Sequence, residues 1–380
     1  EEEYDVYQAL VGLKGSFGPS LNFDLYATHG RTTNDSTTFN QISRSRFNAV
    51  VSAPDGGASL CAGGYDPFGF APTSQECSDY LTIDTVDRAV FEQTVVQGNL
   101  TGTVLDLPAG PLGFAVGAEY RRNEYQATID PRRSPTPTDT PGVTTAPEAL
   151  GTSGAFSSGG DVSVAEVYGE LLVPVFDGFE VDLAYRYSDY DTIGGVSTYK
   201  AGANWTPITG FTLRGGYSRA IRAPSLGNLF SPRAGAIGII GRAGTGGGDP
   251  CDVTGAARNG QVDGVDPAQV RALCIAQGVP EALVDGYTYS GSANAAFRIG
   301  NPDLQEETAD SYTIGAVFQP GFMFNVLSDF SASVDYYNIS VDDAIGYLTS
   351  PIALNQCYNF TGQNPDYDPQ NANCQLIARD

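Results

Sequence analysis

Nucleophilic catalysis needs a base, and this chain has one histidine, His29. A Ser-His or Cys-His arrangement would have only that imidazole to use. It ends an alternating segment, where a surface role at a rim suits it better than catalysis. The run Gly244-Thr245-Gly246-Gly247-Gly248 lacks the G-x-G-x-x-G spacing and the Lys-Ser/Thr of a phosphate loop, so it reads as a flexible loop. Asn259-Gly260-Gln261-Val262-Asp263-Gly264 resembles a calcium loop, yet Val270 stands where the twelfth-position Glu is required. Asp263 with Asp266, and Asp366 with Asp368, read as turn formers first and weak calcium ligands second. No catalytic residue, metal site or cofactor is expected.

The six cysteines fall into three local pairs: Cys61 with Cys77, Cys251 with Cys274, and Cys357 with Cys374. None has the C-x-x-C spacing of a zinc or redox site. Each pair sits inside one long irregular stretch. The pattern predicts three loop-closing disulfides and an oxidising compartment. Each bridge would contribute about 3 kcal/mol in the chain-entropy model. Six free buried thiols are the competing reading. The formal charge of −24 leaves no basic face for nucleic acid. A solvated acidic surface accounts for it, and acidic loops are also compatible with divalent cations.

The elements that carry these residues show a rotation of turns. Tight turns fall at Phe17-Gly18-Pro19, Pro108-Ala109-Gly110-Pro111, Phe176-Asp177-Gly178 and Pro207-Ile208-Thr209-Gly210, with a looser one near Pro320-Gly321. Long irregular stretches alternate with them at 31–90, 129–161, 222–304 and 343–380. In an up-and-down sheet the tight turns share one rim and the long stretches the other, which is what an outer-membrane β-barrel requires. Glycine (46), tyrosine (21) and phenylalanine (19) are abundant, which favours an all-β chain. No run approaches the roughly 18 apolar residues of a membrane helix. That says nothing of a barrel, whose strands cross in about 9–11 residues. The chain opens Glu1-Glu2-Glu3 rather than with Met, and it reads as processed or truncated.

Alternation predicts ten strands near 5–14, 21–29, 94–107, 112–128, 163–173, 179–190, 196–206, 211–221, 306–319 and 329–341. In 179–190, Phe179, Val181, Leu183, Tyr185 and Tyr187 oppose Glu180, Asp182, Arg186 and Ser188. A one-residue slip would move every charge to the other face. The polar faces are expected to line a lumen with Glu119, Arg121, Glu166, Glu170, Glu180, Asp182, Arg186, Lys200, Arg214 and Asp335. A soluble sandwich also alternates. Aromatics near strand ends, such as Phe114 and Tyr120 or Phe211 and Tyr217, favour lipid. In the long stretches, Tyr65, Phe68, Phe70, Tyr287, Tyr289 and Tyr358 are candidate aromatic platforms for a ligand. The Pro-, Thr- and Ser-rich stretch 129–161 is expected to be mobile. Asp266-Pro267 predicts a helix start with Cys274 on the helix.

Several of these segments are similar to one family. Leu213-Arg214-Gly215-Gly216-Tyr217-Ser218-Arg219-Ala220-Ile221-Arg222-Ala223-Pro224-Ser225-Leu226 resembles a strand and loop start of TonB-dependent outer-membrane receptors. Asn301-Pro302-Asp303-Leu304-Gln305-Glu306-Glu307 and Ser311-Tyr312-Thr313-Ile314-Gly315 resemble the return into the barrel. The hairpin from Leu105 to Arg121 is similar to the family's mid-barrel periplasmic hairpin, and Ser333-Val334-Asp335-Tyr336-Tyr337-Asn338-Ile339 to a later ascending strand.

The resemblance implies an antiparallel up-and-down transmembrane β-barrel, part of a barrel of about 22 strands, with long disulfide-pinned extracellular loops. It implies a nutrient receptor in the outer membrane of a Gram-negative bacterium, embedded in lipid. Such a receptor takes up a siderophore, vitamin or oligosaccharide. It is energised by a TonB-type protein acting through a plug and TonB box, neither of which this chain shows. A passive porin and a secreted carbohydrate-binding β-protein are the competing functions. Ten strands can also close a small barrel, but the resemblance points to the middle of a longer one.

Overall fold

The structure is a computed structural model, and it describes residues 1–69, 72–137, 144–150, 155–243, 247–319 and 330–379. The first half of the chain forms β1 (Glu2–Phe17), β2 (Leu21–Ile42), α1 (Arg44–Ser52), α2 (Gln75–Leu81), β3 (Thr82–Leu107), β4 (Gly110–Thr128), the short β5 (Thr136–Pro137) and β6 (Thr144–Thr145), and β7 (Ser158–Phe176). The second half forms β8 (Phe179–Tyr190), β9 (Gly194–Ile208), β10 (Phe211–Arg222), α3 (Leu226–Phe230), β11 (Ala234–Ile239), α4 (Pro267–Ala276), β12 (Ala293–Arg298), β13 (Glu307–Phe318), β14 (Ala332–Asp342) and α5 (Ser350–Cys357).

Ten strands pair in the order β1-β2-β3-β4-β7-β8-β9-β10-β13-β14. The sheet is not closed, and β1 and β14 are its edges. Successive hairpins turn alternately tightly and widely with one exception to the expected rotation: β8 and β9 are joined on the wide rim by the short turn Asp191-Thr192-Ile193. At the tight rim Gly178 adopts φ 78°, and a Cβ there would stand 2.7 Å from the Thr206 carbonyl oxygen, so only glycine makes this turn without strain. The turn expected near Pro320-Gly321 lies outside the described residues.

Directly paired residues of an antiparallel ladder share a face. The register therefore carries one stripe across the sheet. Leu25, Leu100 and Val116 lead through Leu171, Leu183 and Tyr185 to Leu213, Ile314 and Tyr336. Leu183 is 40% exposed and Ile314 66%, so no second protein layer of the described residues covers the stripe. That is not a sandwich interior. On β8 the apolar residues run from Phe179 to Tyr187, about 26 Å along the strand. At a barrel tilt of about 40° this approaches the height of a bilayer's apolar band.

Beyond a row of tyrosines the same face turns ionic. Tyr217 lies 5.9 Å from Tyr199 and 4.8 Å from Tyr312, ring to ring. Farther out come the pairs Arg31–Glu92 at 3.1 Å and Arg122–Asp161 at 3.2 Å.

The stretch 31–90 is shorter than expected, because β2 continues to Ile42 and β3 begins at Thr82. The two stay in register from Leu21↔Gly102 to Thr38↔Thr85 and close on Ile42↔Thr82 after a bulge. Residues such as Thr32, Thr33, Asn34 and Asp35 are polar on both faces, so the period-two signal vanishes while the ladder goes on. His29 consequently lies inside β2 rather than at a strand end. Its Nδ1 is 3.0 Å from Thr94 Oγ1.

The chain divides into two compact units, the first comprising residues 1–232 and 299–345 and the second residues 233–298 and 346–380. The second combines parts of two stretches expected as separate loops. Its core gathers Val270, Leu273, Val284, Leu354 and the disulfides Cys251–Cys274 and Cys357–Cys374. Asp266 caps α4 by accepting from the Ala268 amide at 2.8 Å.

Candidate functional site

The face opposite the apolar stripe is lined with charge, and most of these charges are paired. Lys14 meets Asp24 at 2.9 Å, Arg121 meets Glu119 at 3.0 Å, and Lys200 meets Asp182 at 2.7 Å. Arg214 grips Asp335 with two bonds of 2.7 and 2.6 Å. Glu166, 4% exposed, accepts from Ser188 Oγ at 2.6 Å and lies 3.4 Å from Arg186. The Arg186 guanidinium stands 4.5 Å over the Tyr168 ring. Glu180 accepts from Asn204 at 3.5 Å. Register places Glu119, Arg121, Glu180, Asp182, Arg186 and Arg214 on this one face.

Charge alone does not mark the whole face. Tyr26 donates to Gln97, Gln97 Nε2 donates to Tyr168 Oη at 2.7 Å, and Tyr168 donates to Asn99. These uncharged residues were not singled out from sequence, although Tyr26 lies two residues from Asp24 on β2 and Tyr168 two residues from Glu166 on β7. Such a surface suits a hydrated interior or a polar body packed against it.

At the outer end the most family-like motif has a structural task. Arg222, the last residue of β10, grips Glu307, the first of β13, through Nε and Nη2. Glu307 also accepts from the Ile345 amide at 2.5 Å. One carboxylate thus ties the starts of two long excursions to one strand end. Ser225 and Asn228 then form a reciprocal cap for α3. The Phe230 ring lies over Gly160 of β7, where a Cβ would come within 2.4 Å of it. Gly160 is on the polar face, so α3 lies against that face rather than outside the wall.

The outer fold of the first unit packs Val50, Leu81 and the disulfide Cys61–Cys77 together, with Phe47, Tyr65 and Tyr80 against them. The tract 129–161, expected to be mobile, is tied down at its described ends. Glu148 accepts from Ser45 Oγ at 2.6 Å, and Asp130 accepts from Arg132 Nε at 2.9 Å and from the Val86 amide at 3.1 Å. Arg132 holds the Asp130 carboxyl down at about 2.

The candidate platforms separate by depth. Phe68 is 94% exposed. Tyr65 is half-buried, edge-on to Phe47 at 5.7 Å. Phe70 lies outside the described residues. Tyr287 and Tyr289 are half-buried. Tyr287 donates to Asp249 at 3.0 Å, and Tyr289 to the Ala293 carbonyl at 2.5 Å. Tyr358 is fully buried and cannot present a ring to a ligand. Its hydroxyl donates to Gln277, lies 3.0 Å from Cys251 Sγ and accepts from Arg379 at 3.2 Å. Burial pushes that hydroxyl up to about 12. Arg379 also grips Asp249 at 2.6 and 2.7 Å. Burial alone would raise the Asp249 carboxyl, but Arg379 and the Cys251 amide outweigh it and leave it below its ordinary value. Among the described residues no cluster of His, Cys, Asp and Glu could hold a metal ion.

The profile of the family described as TonB dependent receptor-like, beta-barrel matches residues 2–373. The chain belongs to the TonB-dependent receptor family. TonB-dependent receptors are transporters and receptors rather than enzymes. Solved members share the fold at low identity. A variant of the ferric enterobactin receptor PfeA of Pseudomonas aeruginosa superimposes with a TM-score of 0.51 at 12% identity, over 90% of this chain and 35% of that one. The siderophore receptor PirA of Acinetobacter baumannii gives 0.50 at 15% identity, over 90% and 35%. The chain therefore spans about a third of the length of these receptors. No curated protein matches it significantly.

Proposed function

We propose that the chain forms part of the wall and outer folds of an outer-membrane receptor that takes a scarce nutrient into the periplasm. Family membership over nearly the whole chain carries this reading, and the two-faced sheet supports it. The apolar stripe meets lipid. Glu119, Arg121, Glu180, Asp182, Arg186 and Arg214 face the lumen, where all but Glu180 stand beside an opposite charge. Phe68, with Tyr65 beside it, is the best-placed aromatic contact for a ligand arriving from outside, and Tyr287 and Tyr289 are secondary. The nutrient is a siderophore, a vitamin or an oligosaccharide, and the similarity to PfeA and PirA favours testing a ferric siderophore first. Transport draws energy from a TonB-type protein acting through a plug.

The test is uptake by the full-length receptor in a Gram-negative host with and without a working TonB system. Labelled ferric siderophore, cobalamin and oligosaccharide are offered in turn. Saturable uptake of one class that vanishes without TonB is expected. Unsaturable, TonB-independent passage of many solutes would make the protein a porin instead.

A further inference from the structure

The apolar stripe is not evenly filled. On β2, Phe23 and Leu25 point to the same face, and each leans over a glycine on a different neighbour. The Phe23 ring covers Gly15 of β1, where a Cβ would stand 2.5 Å from Cε1. Leu25 covers Gly98 of β3, where a Cβ would stand 2.8 Å from Cδ2. The two side chains part in opposite directions and leave a slot between them. Phe17 stacks on Phe23 at 5.0 Å and fixes one wall. Leu100 and Val116 complete the other. The slot is a groove of about 450 Å³ lined by these residues with Gly98, Asn99 and Gly117. Asn99 turns its side chain to the opposite face, where it accepts from Tyr168. No charged side chain lines the groove.

We propose that this groove holds one acyl chain of a phospholipid in the periplasmic leaflet, an inference that rests on the membrane reading above. Three observations select that occupant. The groove is continuous with the apolar stripe, so whatever covers the stripe covers it. Phe17 and Phe23 flank the tight turn at Gly18, which places the groove at the periplasmic end. Its lining is predominantly hydrocarbon and aromatic, which suits a methylene chain and gives a sugar or peptide little to bond. The two glycines are the device: a side chain at either would push Leu25 or Phe23 back across the slot.

The full-length receptor is reconstituted in phosphatidylethanolamine vesicles in which a fraction of the lipid carries a diazirine on one acyl chain. After irradiation the labelled peptides are mapped. Labelling of 15–25 and 98–116 several-fold above that of 179–187 and 312–318 is expected. In Gly98→Ala it should fall to the level of those segments. Val116→Phe fills the groove from its other wall without touching a glycine, and it should act alike should Gly98→Ala fold poorly. Equal labelling of all apolar-face segments means annular lipid only and overturns the groove while leaving the membrane reading intact. Absence of label from the whole apolar face would overturn both.

Discussion

Asp130 is 9% exposed and surrounded by donors: the Val86 amide, the Arg132 amide and Arg132 Nε. The bonds from Arg132 are the main reason its carboxyl titrates at about 2 rather than 3.8. A carboxyl whose folded value is depressed contributes stability above its unfolded pKa, and this is lost as pH falls through the folded one. The described ends of the 129–161 tract should therefore keep full protection above about pH 4 and lose it toward pH 2. The contribution is roughly 1–2 kcal/mol, after discounting for the partly exposed Arg132. Hydrogen-exchange protection factors for 129–135 measure it. Asp130→Asn should start low at neutral pH and show little further loss on acidification, and a variant matching the parent at every pH would refute the assignment. Residue type was legible here and residue depth was not. Tyr358 and Phe68 look alike in sequence, yet one is buried under Arg379 and the other stands in solvent.

The strands were legible wherever their two faces meet different media. In β8 every second residue is apolar because lipid and lumen demand opposite chemistry, and the pattern fixes the register as well. The far ends of β2 and β3 carried no such signal, since residues such as Thr32, Thr33, Asn34 and Asp35 put polar side chains on both faces. α4 could be read because Asp266-Pro267 is a local stop-and-start signal. Its fate, as a wall of the second unit's core, was not local. Cys251–Cys274 ties α4 to the segment before it across 23 residues, and both sulfurs are buried. Replacing both by serine should cost the second unit about 3 kcal/mol. Amides of 267–276 would then lose protection while the sheet keeps its heat-modifiable electrophoretic mobility. If 267–276 stay as protected as before, packing alone holds the helix.

At the scale of the molecule the two faces of one sheet set opposite tolerances. Leu183 and Ala184 are neighbours on β8 that point to opposite sides. Leu183→Arg would put a guanidinium in the apolar band and destabilise folding into lipid by about 2–4 kcal/mol near the midplane. Ala184→Arg would face Glu170 across the ladder and cost far less. Urea unfolding in vesicles compares them, and equal costs would mean that the two faces see the same medium.

By itself the sequence determined the alternating strands, the rim of tight turns, the local cysteine pairs and the likeness to a barrel family, because each is written within a few dozen residues. Only the tertiary structure decided that 233–298 and 346–380 share one core, and that Arg379 reaches Asp249 and Tyr358 inside it. No disulfide and no period connects those two segments. What joins them is the removal of apolar surface from water, a buried ion pair and hydrogen bonds such as that from Tyr358 to Gln277, and none of these leaves a mark on the spacing of residues along the chain.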